Sequence, residues 1–352
     1  MDGVSLQRLG ETFVRVACPW WWGFAIALVL PFLLLSFLVT GPHSVEESLG
    51  WMFPVLALIL LDCFPWREAR RFENPKADVI GNGLLVLIAL AAPLNVIALG
   101  HFVDVLADQW ASRDIWATGT DLVALRVLGG TTFCCSMIAP AHEMMHRRPR
   151  WVRRGARVLL MLVFSDLFYL SHGSGHHRHL GTNKDPSTAR SGELYSTFLR
   201  RSLSTQWQLA REHYPKAFRR GLIIQGLLLL SFGMGFGVLA ALAWLYLSAV
   251  AVRLLEAVNY FQHYGLTEEG GQAVHTAWHC DRALSFFLFL GLTRHADHHR
   301  RPNVSFTDLE PEPSGPHLPA GYLGTAIWVK NHSRSYGRMA DAKLKRLAAE
   351  VI

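Results

Sequence analysis

The sequence predicts an all-α, polytopic membrane protein with a histidine-rich cap on its cytoplasmic side. Three observations predict it. Of 352 residues, 51% are hydrophobic and only 17% charged, whereas a soluble domain carries about 25% charge. Apolar runs near the length of a bilayer crossing recur along the chain. Basic residues concentrate in alternate connecting segments, as the positive-inside rule requires. The same composition excludes a disordered or collagen-like chain.

A spanning helix needs about 20 apolar residues for a hydrocarbon core of about 30 Å. Four early runs meet or approach this, at 20–40, 49–65, 79–102 and 119–141. The second is short, so it tilts little. A later run, 221–261, is too long for one crossing, and Gly233, Gly235 and Gly237 lie near its middle. It reads as a tight hairpin of helices at 221–239 and 240–261, which makes six spans. The run 156–171 is apolar but short and contains Asp166. It reads as an interfacial or cap helix. Residues 142–220 and 262–352 form the cap, which ends in Pro-rich loops and a charged helix at 338–350. The whole chain, 1–352, reads as one integral-membrane catalytic domain without internal repeats. The N-terminus lacks the basic start and small-residue cleavage site of a signal peptide.

The loop at 41–48 has no Lys or Arg, and the loop at 103–118 has only Arg113 against three Asp. The loop at 66–78 has Arg67, Arg70, Arg71 and Lys76, and the segment 142–220 holds fifteen Lys or Arg against five acids. Both termini and the large segment therefore face the cytoplasm, in what reads as a bacterial inner membrane. The net charge of +7 is accounted for in this way, without nucleic acid as a partner. The five cysteines, Cys18, Cys63, Cys134, Cys135 and Cys280, form no C-x-x-C pair. No disulfide framework, zinc ribbon or four-cysteine iron centre is expected.

Nine of the seventeen histidines fall into four groups. His142 and His146 form H-E-M-M-H at the cytoplasmic end of the fourth span. At i and i+4 they share a helix face, about 5–6 Å apart at Cβ. His172, His176 and His177 form H-G-S-G-H-H after the cap helix. His263 ends the last span, and His295, His298 and His299 form H-A-D-H-H beyond it. The topology puts all four groups at one membrane face, where they can converge. A lone histidine is usually a satisfied cap or interface residue, but nine in these spacings are not. Neutral imidazoles are good ligands for iron, zinc and copper. Nine are too many for one tetrahedral ion and suit two metal ions with open positions. A pair of redox metals can take electrons and activate O2, with an apolar substrate arriving from the lipid. His179, His43, His101, His213, His317 and His332 read as surface, loop or interface residues, and His275 and His279 remain open.

H-E-M-M-H also matches the zincin motif, whose Glu is a general base in peptide hydrolysis. A membrane metalloprotease is thus a competing reading, and a non-catalytic metal carrier another. Either leaves most of the clustered histidines unexplained.

Taken together, the spans and histidine boxes resemble the membrane fatty acid desaturase superfamily, and within it the alkane and xylene monooxygenase branch. The resemblance rests on His142-Glu143-Met144-Met145-His146-Arg147, on Gly175-His176-His177 with Asp185-Pro186 and Ala189-Arg190, on Asn259-Tyr260-Phe261-Gln262-His263-Tyr264-Gly265-Leu266, on Arg294-His295-Ala296-Asp297-His298-His299, and on Leu318-Pro319-Ala320-Gly321-Tyr322. It covers roughly residues 20–325. It implies a non-haem diiron oxidase that uses O2 and two electrons from rubredoxin or ferredoxin and its reductase. It implies further that the nine histidines hold the metal. Asp185 and Asp297 match polar positions near the boxes, and both are expected to orient imidazoles from outside. Glu143 either points elsewhere on the helix than the His pair or supports one ligand in the same way.

Three features depart from the alkane hydroxylase pattern. Gln262 stands where Glu is usual, the chain is shorter, and Trp278-His279-Cys280-Asp281 replaces a polar W-N-x-N-like run. Related enzymes of about this length turn medium-chain fatty acids into terminal alkenes. Methyl hydroxylation of an alkane or alkyl-arene is the expected reaction, with oxidative decarboxylation or desaturation of a fatty acid as the alternative. A carboxylate substrate would need a basic partner, and Arg147, Arg178, Lys184, Arg190 and Arg294 are available near the boxes. Trp51, Phe53, Phe133 and Met137 are possible tunnel residues but read better as helix packing.

Overall fold

In a computed structural model the described residues are 21–69, 75–267, 275–312 and 314–350. Helices are their regular structure, with no strand among them and only two isolated β-bridges. Cys18, Arg70 and Arg71, and the first residue of the expected span 20–40, lie outside the described residues.

After two short helical turns the chain enters α1 (Val29–Thr40). Helix α2 (Val45–Cys63) starts at a capping box, with the Ser44 hydroxyl accepting from Glu47 N and the Glu47 carboxylate from Ser44 N. That box satisfies two of the N–H groups that a helix start leaves orphaned. Helix α3 (Pro75–Asp108) is 34 residues long, ten more than the run 79–102 that the apolar pattern marks. Helix α4 (Ile115–Phe133) passes through a π turn, Cys134–Ile138, into α5 (Ala139–Met145). Pro140 has no N–H to return to Ser136 O, and the wider turn makes room for its ring.

Among the described residues, three helices are long and apolar enough to cross a membrane: Val79–Asp108, Ile115–Met145 and Pro215–His263. The third, α9 (Pro215–His263), is broken at Gly237, whose φ of 84° is open to glycine and strained for other residues. Phe232 and Trp244 pack together with ring centroids 4.7 Å apart. Twelve residues of straight helix would separate them by about 18 Å. The chain therefore reverses at Gly237, and α9 is a helical hairpin.

Helix α9 packs on α3 and α4, and α1 packs on the same two helices, around a core that includes Leu30, Phe37, Ile88, Leu99, Leu128 and Leu247. The outward faces carry Phe53, Leu90, Leu230 and Met234, all well exposed. Such a surface is suited to hydrocarbon rather than water.

The expected helix 156–171 is in fact two, α6 (Arg150–Leu162) and α7 (Asp166–Ser171). The break is at Phe164, with φ of 51°. Trp244 explains it: its indole N–H donates to Leu162 O at 2.8 Å and its ring meets Phe164. After a π turn at His172–His177 come α8 (Tyr195–His213), α9, and the short α10 (Ala283–Leu288) and α11 (His295–Arg300). The expected final helix 338–350 is the end of a longer one, α12 (Tyr322–Glu350), kinked at His332.

The start of α12 explains Leu318–Tyr322. Asp62, fully buried at the end of α2, accepts from Leu323 N at 2.8 Å and from Ser285 Oγ at 2.6 Å. A carboxylate at a helix N-terminus is stabilised by its free N–H groups and dipole. A Cβ on Gly321 would lie 2.0 Å from Asp62 Oδ1. Gly321→Ala is therefore expected to lower the melting temperature of the detergent-solubilised protein, at a cost of roughly 1–3 kcal/mol. An unchanged melting temperature would show that this junction can relax.

Candidate metal centre

The nine histidines converge in two groups. One contains His142, His146, His172, His177 and His298; the other contains His176, His263, His295 and His299. Within each group the candidate ligand atoms all lie within 4.8 Å of one another.

Local backbone geometry produces this division. His142 and His146 project from the end of α5 one helical turn apart. The π turn at His172–His177 closes i to i+5 rather than i to i+4. It sets His177 Nε2 3.0 Å from His172 Nε2. Its neighbour His176 points the other way, with Nε2 3.2 Å from His299 Nε2. The consecutive pair 176–177 is thus split between the groups. In α11, His295 and His299 share a face, with Nε2 atoms 3.1 Å apart, and His298 turns to His142 with ring centroids 4.6 Å apart. The last helical limb of α9 delivers His263.

The donor set fits a metal. Bonds of about 2.1 Å to imidazole, set at a right angle, leave nitrogens about 3.0 Å apart. The observed nitrogen separations are 3.0–3.2 Å. Moreover, Nε2 of His142, His263 and His298 is buried without any hydrogen bond. An orphaned buried polar atom costs about 1–3 kcal/mol, which coordination would offset.

Burial favours the neutral form, the one that coordinates, in six of these imidazoles. Desolvation, helped by the neighbouring rings, lowers His146 to about 4 and His177 to about 3. It holds His172, His295, His298 and His299 well below the usual value.

Outer partners select the ring nitrogen. Asp185 accepts from His176 Nδ1 at 3.0 Å, leaving Nε2 for the centre. The carboxylate is itself braced by Ser187 N and the Thr188 hydroxyl. Burial pushes its acidity down, but His176 and these bonds more than reverse the effect and hold its pKa below the ordinary carboxylate value. His263 Nδ1 donates to Thr276 O at 2.9 Å, with the same consequence for its Nε2.

Asp297 differs from its sequence expectation, and of the two alternatives for Glu143 the supporting role is not met. Asp297 bonds no imidazole; its carboxylate accepts from Arg301, from Arg300 and from Glu310 N. Two successive basic residues one turn along α11 reach it before any ring does. It braces α11 against the following loop. Glu143 pairs with Arg147 at 2.8 Å and accepts from Phe306 N at 3.2 Å. It ties α5 to the segment after α11 rather than supporting one ring. Thr276 was not identifiable in the sequence, because a backbone carbonyl has no residue-type signature. His179 is partly exposed, and its carbonyl accepts from Thr182.

The centre has two sides. His142, His172 and His295 border a small apolar pocket, whose wall includes Ile138, Phe168, Leu255, Val258 and Phe289. No Arg or Lys lines it among the described residues. His146, His177 and His299 are instead half-buried. Of the possible tunnel residues, Phe133 and Met137 are wholly buried in the core and Phe53 faces outward, in keeping with packing.

A sequence model of the fatty acid desaturase family matches residues 120–311, more than half of the chain and all nine histidines. The chain is 32% identical over 219 residues to alkane 1-monooxygenase 2 of Pseudomonas aeruginosa, covering 56% of this chain and 58% of that one. It is 28% identical over 284 residues to alkane 1-monooxygenase 1 of the same organism, covering 72% and 71%. It is 27% identical over 204 residues to the xylene/toluene monooxygenase hydroxylase component XylM of Pseudomonas putida, covering 52% and 54%. The chain thus spans little more than half the length of the first and third of these relatives. With its apolar helices, this similarity makes it an integral membrane protein. On the family match and these similarities, the chain belongs to the fatty acid desaturase family, on the branch of the alkane and xylene monooxygenases.

Proposed function

We propose that this protein is a membrane non-haem diiron oxygenase that hydroxylates a methyl group of an alkane or alkyl-arene. The reaction consumes O2, two electrons and two protons and releases the alcohol and water. The observation that carries the reading is the joining of two all-histidine groups to an apolar cavity with no basic side chain in its wall. Bound iron would supply O2 reduction and the oxidising power to cleave an unactivated C–H bond. The chain supplies the rest. The five-histidine and four-histidine groups each hold one ion, Asp185 and Thr276 O fix ring orientation, and the cavity wall positions the substrate and excludes water. The relatives named as alkane 1-monooxygenases and xylene monooxygenase support this choice of substrate class.

The competing readings lose support. A fatty acid needs a cation beside the site. Arg294 is instead buried over the Phe286 ring and donates to Leu309 O, and Arg147 is engaged by Glu143 and Ser305. A zincin needs its Glu aimed at the ion, whereas Glu143 is held by Arg147 and Phe306 N.

The chain is read as crossing a bacterial inner membrane six times with the centre on the cytoplasmic side. Electrons arrive from rubredoxin or ferredoxin at the half-buried face of His146, His177 and His299. Exposed Arg148, Arg150, Arg154, Arg178 and Lys184 flank these histidines in sequence. An acidic donor would be steered to such a face. Turnover with a reconstituted donor should therefore fall several-fold as ionic strength rises; a salt-independent rate would count against this docking face.

Product analysis by gas chromatography–mass spectrometry tests the reaction. Bacterial cells expressing the protein are fed octane, p-xylene or dodecanoic acid, beside a His146→Ala control. A primary or benzylic alcohol is expected. Undecene or an alkenoic acid from the C12 acid, with no alcohol from the hydrocarbons, would overturn the hydroxylase reading.

A further inference from the structure

A third group of metal-ligating side chains lies outside the nine histidines: His279, Asp281 and His317. They come from two loops, one following α9 and one preceding α12. A parallel bridge joins these loops, with His279 N donating to Pro316 O at 2.7 Å and Leu318 N to His279 O at 2.8 Å. The bridge brings the His279 and His317 rings edge to face, with centroids 4.9 Å apart. Asp281 faces both. One carboxylate oxygen contacts His279 Nε2, and the other is 3.7 Å from His317 Nδ1. The latter separation exceeds hydrogen-bond reach. It is close to the spacing of donors sharing one ion through bonds of about 2.0–2.2 Å. The donor atoms of the three residues all lie within 4.8 Å of one another. His279 is 4% exposed, and its Nδ1 is buried without a hydrogen bond. Asp281 and His317 are partly exposed, which leaves the ion a way in from solvent.

We infer that His279, Asp281 and His317 bind one zinc-class divalent ion, which clamps the two loops together. Two imidazoles and one carboxylate, with a fourth position for water, are a zinc-type donor set. Magnesium and calcium would require oxygen ligands throughout. Arg67 lies near enough to influence Asp281, whose carboxyl burial pushes up and His279, His317 and Arg67 pull below its usual value. Asp281 is therefore ionised at neutral pH. The clamp acts on a loop that serves the main centre. Thr276 O fixes His263, and Trp278 N caps Gln262 O at 2.7 Å. The inference does not rest on the proposed reaction, and it fails or stands separately from it.

The full-length, iron-loaded protein in detergent is equilibrated with zinc, freed of loose metal and assayed for zinc and iron by mass spectrometry. One zinc per chain is expected in the native protein. Asp281→Asn and His317→Ala are each expected to lose it at least tenfold, with iron unchanged. Zinc should also raise the melting temperature of the native protein and of neither variant. Equal zinc in all three proteins, or none in any, would overturn the inference. X-ray absorption at the zinc edge gives a check independent of the variants. Two imidazoles with oxygen ligands are expected, and an all-imidazole shell would overturn the assignment.

Discussion

His146→Ala is expected to abolish hydrocarbon oxidation and to remove metal with it. His146 stands at the solvent side of the five-histidine group, with Nε2 3.1 Å from His172 Nε2 and its ring beside those of His142, His177 and His298. Deleting it opens the group at the face from which electrons are proposed to enter. The loss should exceed the roughly 10–100-fold cost of removing an outer partner of a metal ligand. Exposed His101 is the control, and His101→Ala should leave activity and metal content as they were. Iron content and product yield, measured on the same preparations, decide the matter. Retained activity in His146→Ala would remove this residue from the centre.

The second large effect separates two aspartates that look alike in the sequence. Asp185 holds His176 through Nδ1, and Asp297 holds Arg301 and Glu310 N. Asp185→Asn keeps the shape but loses the charge that polarises the ring and fixes its tautomer. It should lower metal affinity and turnover by about 10–100-fold. Asp297→Asn should act on stability instead, through its charge-assisted bonds to α11, with metal affinity close to that of the native protein. Iron affinity is read by competition with a chelator, and stability by thermal melting. Equal losses of metal affinity in both variants would contradict the division.

The difference between these aspartates marks the limit of the sequence reading. The histidine boxes were legible because residue type and spacing carry ligand chemistry directly. The reversal within residues 221–261 was legible because three glycines interrupt an apolar run longer than a bilayer, and the chain does turn at Gly237. The π turn at His172–His177 left no comparable sign, since a five-residue closure does not alter the apolar pattern. Yet it determines which of His176 and His177 joins which group. The break at Phe164 depends on Trp244, eighty residues along the chain, and no local signal contains it. Asp297 was expected to face an imidazole because it sits between histidines. On a helix its nearest partners are one turn away, and Arg301 occupies that position. His317 read as a loop residue and His279 stayed open, because the bridge that pairs them is long-range.

The central claim is that the nine histidines hold two iron ions, five to one and four to the other. The most direct measurement is iron stoichiometry with Mössbauer spectroscopy on anaerobically reconstituted protein, compared with a His146→Ala/His172→Ala variant and a His263→Ala/His299→Ala variant. Two irons per chain are expected in the native protein, with each variant losing a different one. A single iron in the native protein, or the same spectrum from both variants, would contradict the two-group centre.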